Sequence, residues 1–200
     1  DCLAWAKLWR GGLAYYGGLL LATAYAYYFT RKHKINFWRV ADLAAPPILL
    51  GLFFGRMGCF LNGCCYGKET HGILGVRFPL GSTPWRAQYD AHLIQPRQDM
   101  LPVHPTQLYE SIGCLVLFAV TYYLVRPRKQ HEGQVLGAML ILYGILRSVC
   151  EIFRDDERGV LWGWLSTSQM ISAPLLIFGA WLILRKVSPA PALPAAPTPP

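Results

Sequence analysis

Two uncharged stretches constrain this chain more than any other feature. Gly11 to Thr30 runs twenty residues without a charge, and Gly159 to Leu184 runs longer still. A bilayer core of about 30 Å is crossed by about 20 helical residues rising about 1.5 Å each, so either stretch can span it. Lipid offers backbone N–H and C=O groups no partner, and a spanning segment therefore satisfies its own as a helix. Three further blocks, roughly Leu43 to Asn62, Thr106 to Val125 and Gly133 to Arg154, carry ionisable residues inside or at one end. Charges at such depth are costly and mark function as often as packing. With 54% hydrophobic and only 15% charged residues in 200, the composition excludes an ordinary soluble domain. The expected fold is an all-α polytopic membrane helix bundle with about five transmembrane helices and one non-cytoplasmic loop region.

The net charge of +8 is not that of a nucleic-acid binder, because the basic residues collect in particular connections, where they record topology. Arg31, Lys32, Lys34 and Arg39 fill the first connection, Arg126, Arg128 and Lys129 the third, and Arg185 and Lys186 follow the last block. If five helices alternate, all three clusters fall on one side, which is the cytoplasmic one. The chain start, the stretch from about 63 to 104 and the Asp155 to Ser166 loop then lie outside. Residues 1–187 read as one transmembrane domain with an external insertion at about 63–104. The Pro/Ala-rich end, 188–200, reads as a disordered cytoplasmic tail. The chain opens on Asp1 with nothing resembling an intact signal peptide, so it reads as a fragment lacking upstream spans.

Three motifs carry chemistry. The first, Gly55-Arg56-Met57-Gly58-Cys59-Phe60-Leu61-Asn62-Gly63-Cys64-Cys65-Tyr66-Gly67, closes the second block. A guanidinium costs about 2.5–3.5 kcal/mol at mid-bilayer, so Arg56 requires a carboxylate, an anion such as a lipid phosphate, or an interfacial position to which it snorkels. Asn62 offers both a donor and an acceptor. The second motif is His104-Pro105-Thr106-Gln107-Leu108-Tyr109-Glu110. Pro105 suits a first helical turn, which puts His104 at or before a helix N-terminus, where a neutral imidazole is favoured; Gln107 and Glu110 would otherwise serve to tie helices together. In the third, Arg147, Glu151 and Arg154 stand four and seven residues apart on one helical stripe, presenting plus, minus, plus. That face either binds an anion or is a structural ion pair.

These motifs, in this order, resemble the prolipoprotein diacylglyceryl transferase family, and with the weaker Arg10-Gly11-Gly12-Leu13-Ala14-Tyr15-Tyr16-Gly17-Gly18 segment the resemblance covers about Arg10 to Leu184. It implies transfer of the diacylglyceryl group of phosphatidylglycerol to the lipobox cysteine thiol of a preprolipoprotein, in lipoprotein biosynthesis at the bacterial plasma membrane. The active site would face the outer leaflet, with release of glycerol 1-phosphate; no metal or organic cofactor is implied. On this reading Arg56 and Arg147 clamp the lipid phosphate, Glu151 orients Arg147, and His104 takes the substrate thiol's proton. Asn62 and Gln107 bond the headgroup, and Tyr16, Gly67, Tyr109, Glu110 and Arg154 complete the substrate site. Tyr16 stands where many relatives carry His, and Cys59 and Cys64 where they carry Asn and Glu, so this chain lacks one carboxylate that would serve as base or arginine partner. Competing readings are a diverged relative that binds phospholipid or a thiol substrate without transfer, and a small transporter.

Six cysteines are present. Cys2, Cys114 and Cys150 stand alone, and the latter two read as small apolar core residues. Cys59, Cys64 and Cys65 cluster, offering a disulfide or a reactive thiol beside an arginine, a redox or substitute site. Their spacing lacks a second CxxC pair and a His partner, which argues against zinc.

Overall fold

The computed structural model describes residues 13–154 and 167–185, with side chains for 17–154 and 172–185. Six α-helices follow in order: α1 (Leu13–Lys32), α2 (Phe37–Asn62), α3 (Thr83–Asp90), α4 (Thr106–Ala119), α5 (Gln134–Ile152) and α6 (Thr167–Leu184). No strand is present among the described residues; extended pairing is limited to isolated bridges. Three helical segments are long and apolar enough to cross a membrane, Phe37–Asn62, Thr106–Arg128 and Gln134–Ile152. They coincide with the charged blocks of the sequence. α1 and α6 occupy the two uncharged stretches, while Cys2, the 155–166 loop and the 188–200 tail lie outside the described residues.

The chain forms two compact units, Asp1–Ala41 and Asp42–Pro200. In the first, the α1 C-terminus turns through Lys34 in a left-handed conformation (φ 56°), and the Ile35 amide donates to the Thr30 carbonyl at 2.8 Å. Asn36 then caps α2: its Oδ1 accepts the Trp38 amide at 2.9 Å, which satisfies one of the donors a helix start leaves open.

The second unit holds the rest of α2 and everything after it. Asp42 is 3% exposed, yet its carboxylate is fully used. It accepts the amides of Gly133 (2.8 Å) and Leu136 (2.9 Å) and pairs with Lys129 at 3.3 Å. An aspartate from α2 thereby caps the N-terminus of α5, where negative charge is favoured by the helix dipole, and fixes the register between the two helices. Below it Ala45, Leu49, Val135 and Met139 form an apolar core. α5 and α6 approach closely through glycine: a Cβ on Gly137 would stand 2.8 Å from the Gly179 carbonyl, and the reverse also holds. Small residues at such contacts let helices pack backbone to backbone. α4 continues into a π-helical turn (Val120–Val125) and a 3₁₀ turn (Arg126–Arg128). There Thr121, fully buried, donates to the Leu117 and Phe118 carbonyls as the helical ladder loosens.

Between α2 and α4, residues 63–105 carry α3 and a small core of Ile94, Met100 and Val103. Trp85 Nε1 donates to the Gln98 carbonyl (2.8 Å), and Gln88 makes two bonds with the Leu101 backbone, so this long connection has internal structure of its own.

Candidate active site

The three motifs converge. At Gly67 the Gly67 amide donates to the His104 carbonyl (2.9 Å), the Lys68 amide to the Phe153 carbonyl (2.9 Å) and the His104 amide to the Lys68 carbonyl (2.9 Å). Gly67 and Arg154 form an antiparallel bridge. Gly67 is there because nothing larger fits: a Cβ would run into the Phe153 carbonyl and stand 2.7 Å from Thr106 Cγ2 and 2.9 Å from His104 Cβ. Two more bonds fasten the first motif to the start of α4. Thr106 Oγ1 donates to the Cys65 carbonyl (2.9 Å), and Gln107 Nε2 donates to the Cys64 carbonyl (2.7 Å).

Beside this junction lies a charged cluster built from three helices. Arg56 of α2 reaches Glu110 of α4, Nη2 to Oε1, at 2.9 Å. Arg147 of α5 approaches the other oxygen of Glu110 at 3.7 Å and pairs with Glu151, one turn along α5, at 3.4 Å. The Tyr143 hydroxyl donates to Glu110 Oε1 at 3.1 Å. Glu110 is 2% exposed, a burial a carboxylate tolerates when its charge is paired and its lone pairs are filled. The two arginine side chains retain 20% and 16% exposure, and each guanidinium presents its donors in a rigid fork that matches carboxylate or phosphate oxygens. Around this cluster the helices are held by Ser111, whose hydroxyl donates to the Phe53 carbonyl at 3.1 Å.

His104 precedes α4 by two residues, as expected, with Pro105 at the cap. Its Nδ1 lies 3.2 Å from the Tyr109 hydroxyl, and its ring packs edge-on against Phe153, 5.3 Å between centroids.

Several expectations are refined. The arginine-carboxylate face of α5 holds for Arg147 and Glu151 but not for Arg154. α5 ends at Ile152, and Arg154 leaves the helical stripe to pair with Gly67, 6% exposed. Glu110, expected in the substrate site or as a tie between helices, is the carboxylate that joins both arginines, so Arg56 has an acid partner without one at Cys64. Gln107 is 1% exposed and spends its amide on the Cys64 carbonyl, while its Oε1 has no hydrogen-bond partner among the described residues. Asn62 ends α2 exposed. Tyr16 lies in the opening of α1, and its side chain is outside the described residues. Tyr143 was not singled out from the sequence. It stands four residues before Arg147 and eight before Glu151, so extending that helical stripe by one turn would have found it.

Cys59, Cys64 and Cys65, a cluster in the sequence, also meet in space: their Sγ atoms all lie within 4.8 Å of one another, a metal-compatible grouping that their spacing had argued against.

Apolar helices enclosing a paired guanidinium–carboxylate cluster, at a junction of three chain segments, define a helical membrane protein with a polar centre between its helices. The chain belongs to the prolipoprotein diacylglyceryl transferase family, whose profile, described as "Prolipoprotein diacylglyceryl transferase", matches residues 1–185. Similar proteins are named phosphatidylglycerol–prolipoprotein diacylglyceryl transferase. That of Solidesulfovibrio magneticus is 36% identical over 92% of this chain and 65% of its own length. That of Stenotrophomonas maltophilia is 36% identical over 95% and 68%, and that of Rickettsia bellii 36% identical over 90% and 64%. The chain therefore spans about two thirds of the length of the curated relatives it matches.

Proposed function

We propose that this chain carries the site that transfers the diacylglyceryl group of phosphatidylglycerol to the cysteine thiol of a preprolipoprotein. The observation that carries the reading is the meeting of Arg56 and Arg147, from helices far apart in sequence, on one buried carboxylate. Glu110 and Glu151 hold the two guanidiniums in place, and the guanidiniums clamp the phosphate of the lipid. The substrate sulfur attacks the diacylglycerol carbon that bears the phosphate. A C–S bond forms, the C–O bond breaks, and its electron pair passes to the phosphate oxygen of the departing glycerol phosphate. That group gains a negative charge as it leaves, and guanidiniums already aimed at it stabilise the transition state more than the bound lipid.

The thiol proton goes to His104, since a thiolate and not a thiol is the nucleophile. For Nε2 to accept that proton, Nδ1 carries the ring hydrogen and donates it to the Tyr109 hydroxyl 3.2 Å away, so Tyr109 holds the imidazole in place. Gln107 Oε1 and Asn62 bond the headgroup glycerol, and Gly67 and Arg154 shape the wall between the motifs. Residues 1–187 act as one domain of a bacterial plasma-membrane protein with five spans in this chain. The basic connections and the 188–200 tail lie in the cytoplasm, and the 63–104 insertion with the site faces the outer leaflet.

Membranes containing this chain, given labelled phosphatidylglycerol and a lipobox peptide, should link label to the peptide thiol. Arg147→Ala should reduce that product by a factor of about 100 or more, the scale of losing one transition-state anion donor. Lipid binding without any product would support instead a diverged relative, a reading that the substitutions at Cys59 and Cys64 favour.

A further inference from the structure

The three cysteines at the end of α2 are not used by the mechanism above, and their placement is specific. Cys59 lies in the last turns of α2. Gly63 (φ 68°) and Cys65 (φ 61°) both adopt left-handed backbone, which few non-glycine residues do, and they turn the chain back so that Cys64 and Cys65 face Cys59. The Cys64 amide donates to the Cys59 carbonyl at 3.1 Å, and Cys64 Sγ reaches the same carbonyl at 3.6 Å. All three thiols are unbridged and half-buried, with their sulfurs within 4.8 Å of one another.

We propose that Cys59, Cys64 and Cys65 form a three-thiolate site for a thiophilic d10 cation of the Zn2+, Cd2+ or Cu+ kind. Metal–sulfur bonds of about 2.3 Å place sulfurs about 3.8 Å apart around one ion, so the observed cluster needs sulfur movements of about 1 Å or less to close. A disulfide accounts for the arrangement less well. Consecutive residues such as Cys64 and Cys65 have Cα atoms about 3.8 Å apart, shorter than the usual disulfide range, and any pair leaves the third sulfur unused. Binding a divalent ion displaces three thiol protons and leaves a complex of net charge −1. Arg56 lies close enough to Cys59 and Cys65 to interact with them electrostatically and offsets that charge. The ion would clip the end of α2 to the loop whose Cys64 and Cys65 carbonyls anchor Gln107 and Thr106, stiffening the floor of the site without entering the reaction. This inference goes beyond the transferase reading and stands whether or not the chain transfers lipid.

The test is a titration of the purified, reduced full chain with Cd2+ alone, read by sulfur-to-cadmium charge-transfer absorption and by mass-spectrometric mapping of cysteine alkylation. About one equivalent should saturate the absorption and slow alkylation of Cys59, Cys64 and Cys65 by about tenfold or more, leaving Cys114 and Cys150 unchanged. The variant carrying C59S, C64S and C65S should lose the absorption. If that variant does not fold, the alkylation map of the unmodified chain decides alone. No charge-transfer absorption from the reduced thiols, equal protection of all six cysteines, or re-formation of a disulfide within the trio in preference to cadmium binding would each overturn the proposal.

Discussion

A carboxylate that is 2% exposed and touches two guanidiniums and a phenol cannot be replaced by a neutral amide without cost. Glu110→Gln should destabilise the protein by roughly 3–5 kcal/mol, the scale for breaking a buried ion pair from one side. A lowered unfolding temperature in detergent, together with loss of transfer, would check this. Tyr143→Phe removes a single hydrogen bond to the same oxygen and should cost only about 1 kcal/mol, leaving most activity intact. Tyr109→Phe should act differently: folding unchanged, but turnover reduced and its pH profile altered, because His104 loses its hydrogen-bond partner at Nδ1. Arg56, Glu110, Arg147 and Glu151 were legible in the sequence, since charges in apolar blocks announce themselves, and His104 was legible from its place before Pro105. Their pairing was not: nothing in the spacing says that Glu110, rather than an acid in the first motif, completes Arg56. Tyr143 escaped because it carries no charge, and only its place one turn before Arg147 on the same stripe points to it.

At the scale of elements, close contacts rather than charge decide what can change. Gly137→Leu would push a branched side chain into the Gly179 carbonyl and Leu182, separating α5 from α6. A loss of about 1–3 kcal/mol, the usual penalty for overpacking, should appear in thermal unfolding. Because α5 also carries Arg147 and Glu151, transfer should fall with it. Helix positions followed from the apolar blocks and, for α4, from Pro105 at its start. The end of α5 did not. Its stripe runs on to Arg154 in sequence, but the chain leaves the helix after Ile152 to pair with Gly67, a long-range contact no periodicity encodes. The cap that Asp42 supplies to α5 was hidden for the same reason, being a bond between residues about ninety apart.

For the molecule as a whole, charge patterning predicts that cysteine labels in the Arg126–Lys129 connection react only from the cytoplasmic side, and labels in the 63–104 insertion only from the other. Reversed accessibility would contradict the orientation on which the site's placement depends. What sequence conveyed at this scale was membrane residence and the order of three motifs; what it withheld was that Gly67 is the hub where all three meet. The account rests on two guanidiniums jointly holding a lipid phosphate. Its most direct test is the affinity of the purified chain for phosphatidylglycerol, measured by native mass spectrometry for the unmodified protein, Arg56→Lys and Arg147→Lys. Lysine keeps the charge but not the fork, so each variant should bind about tenfold or more weakly, about 1.4 kcal/mol. Undiminished affinity in both would contradict the arrangement proposed.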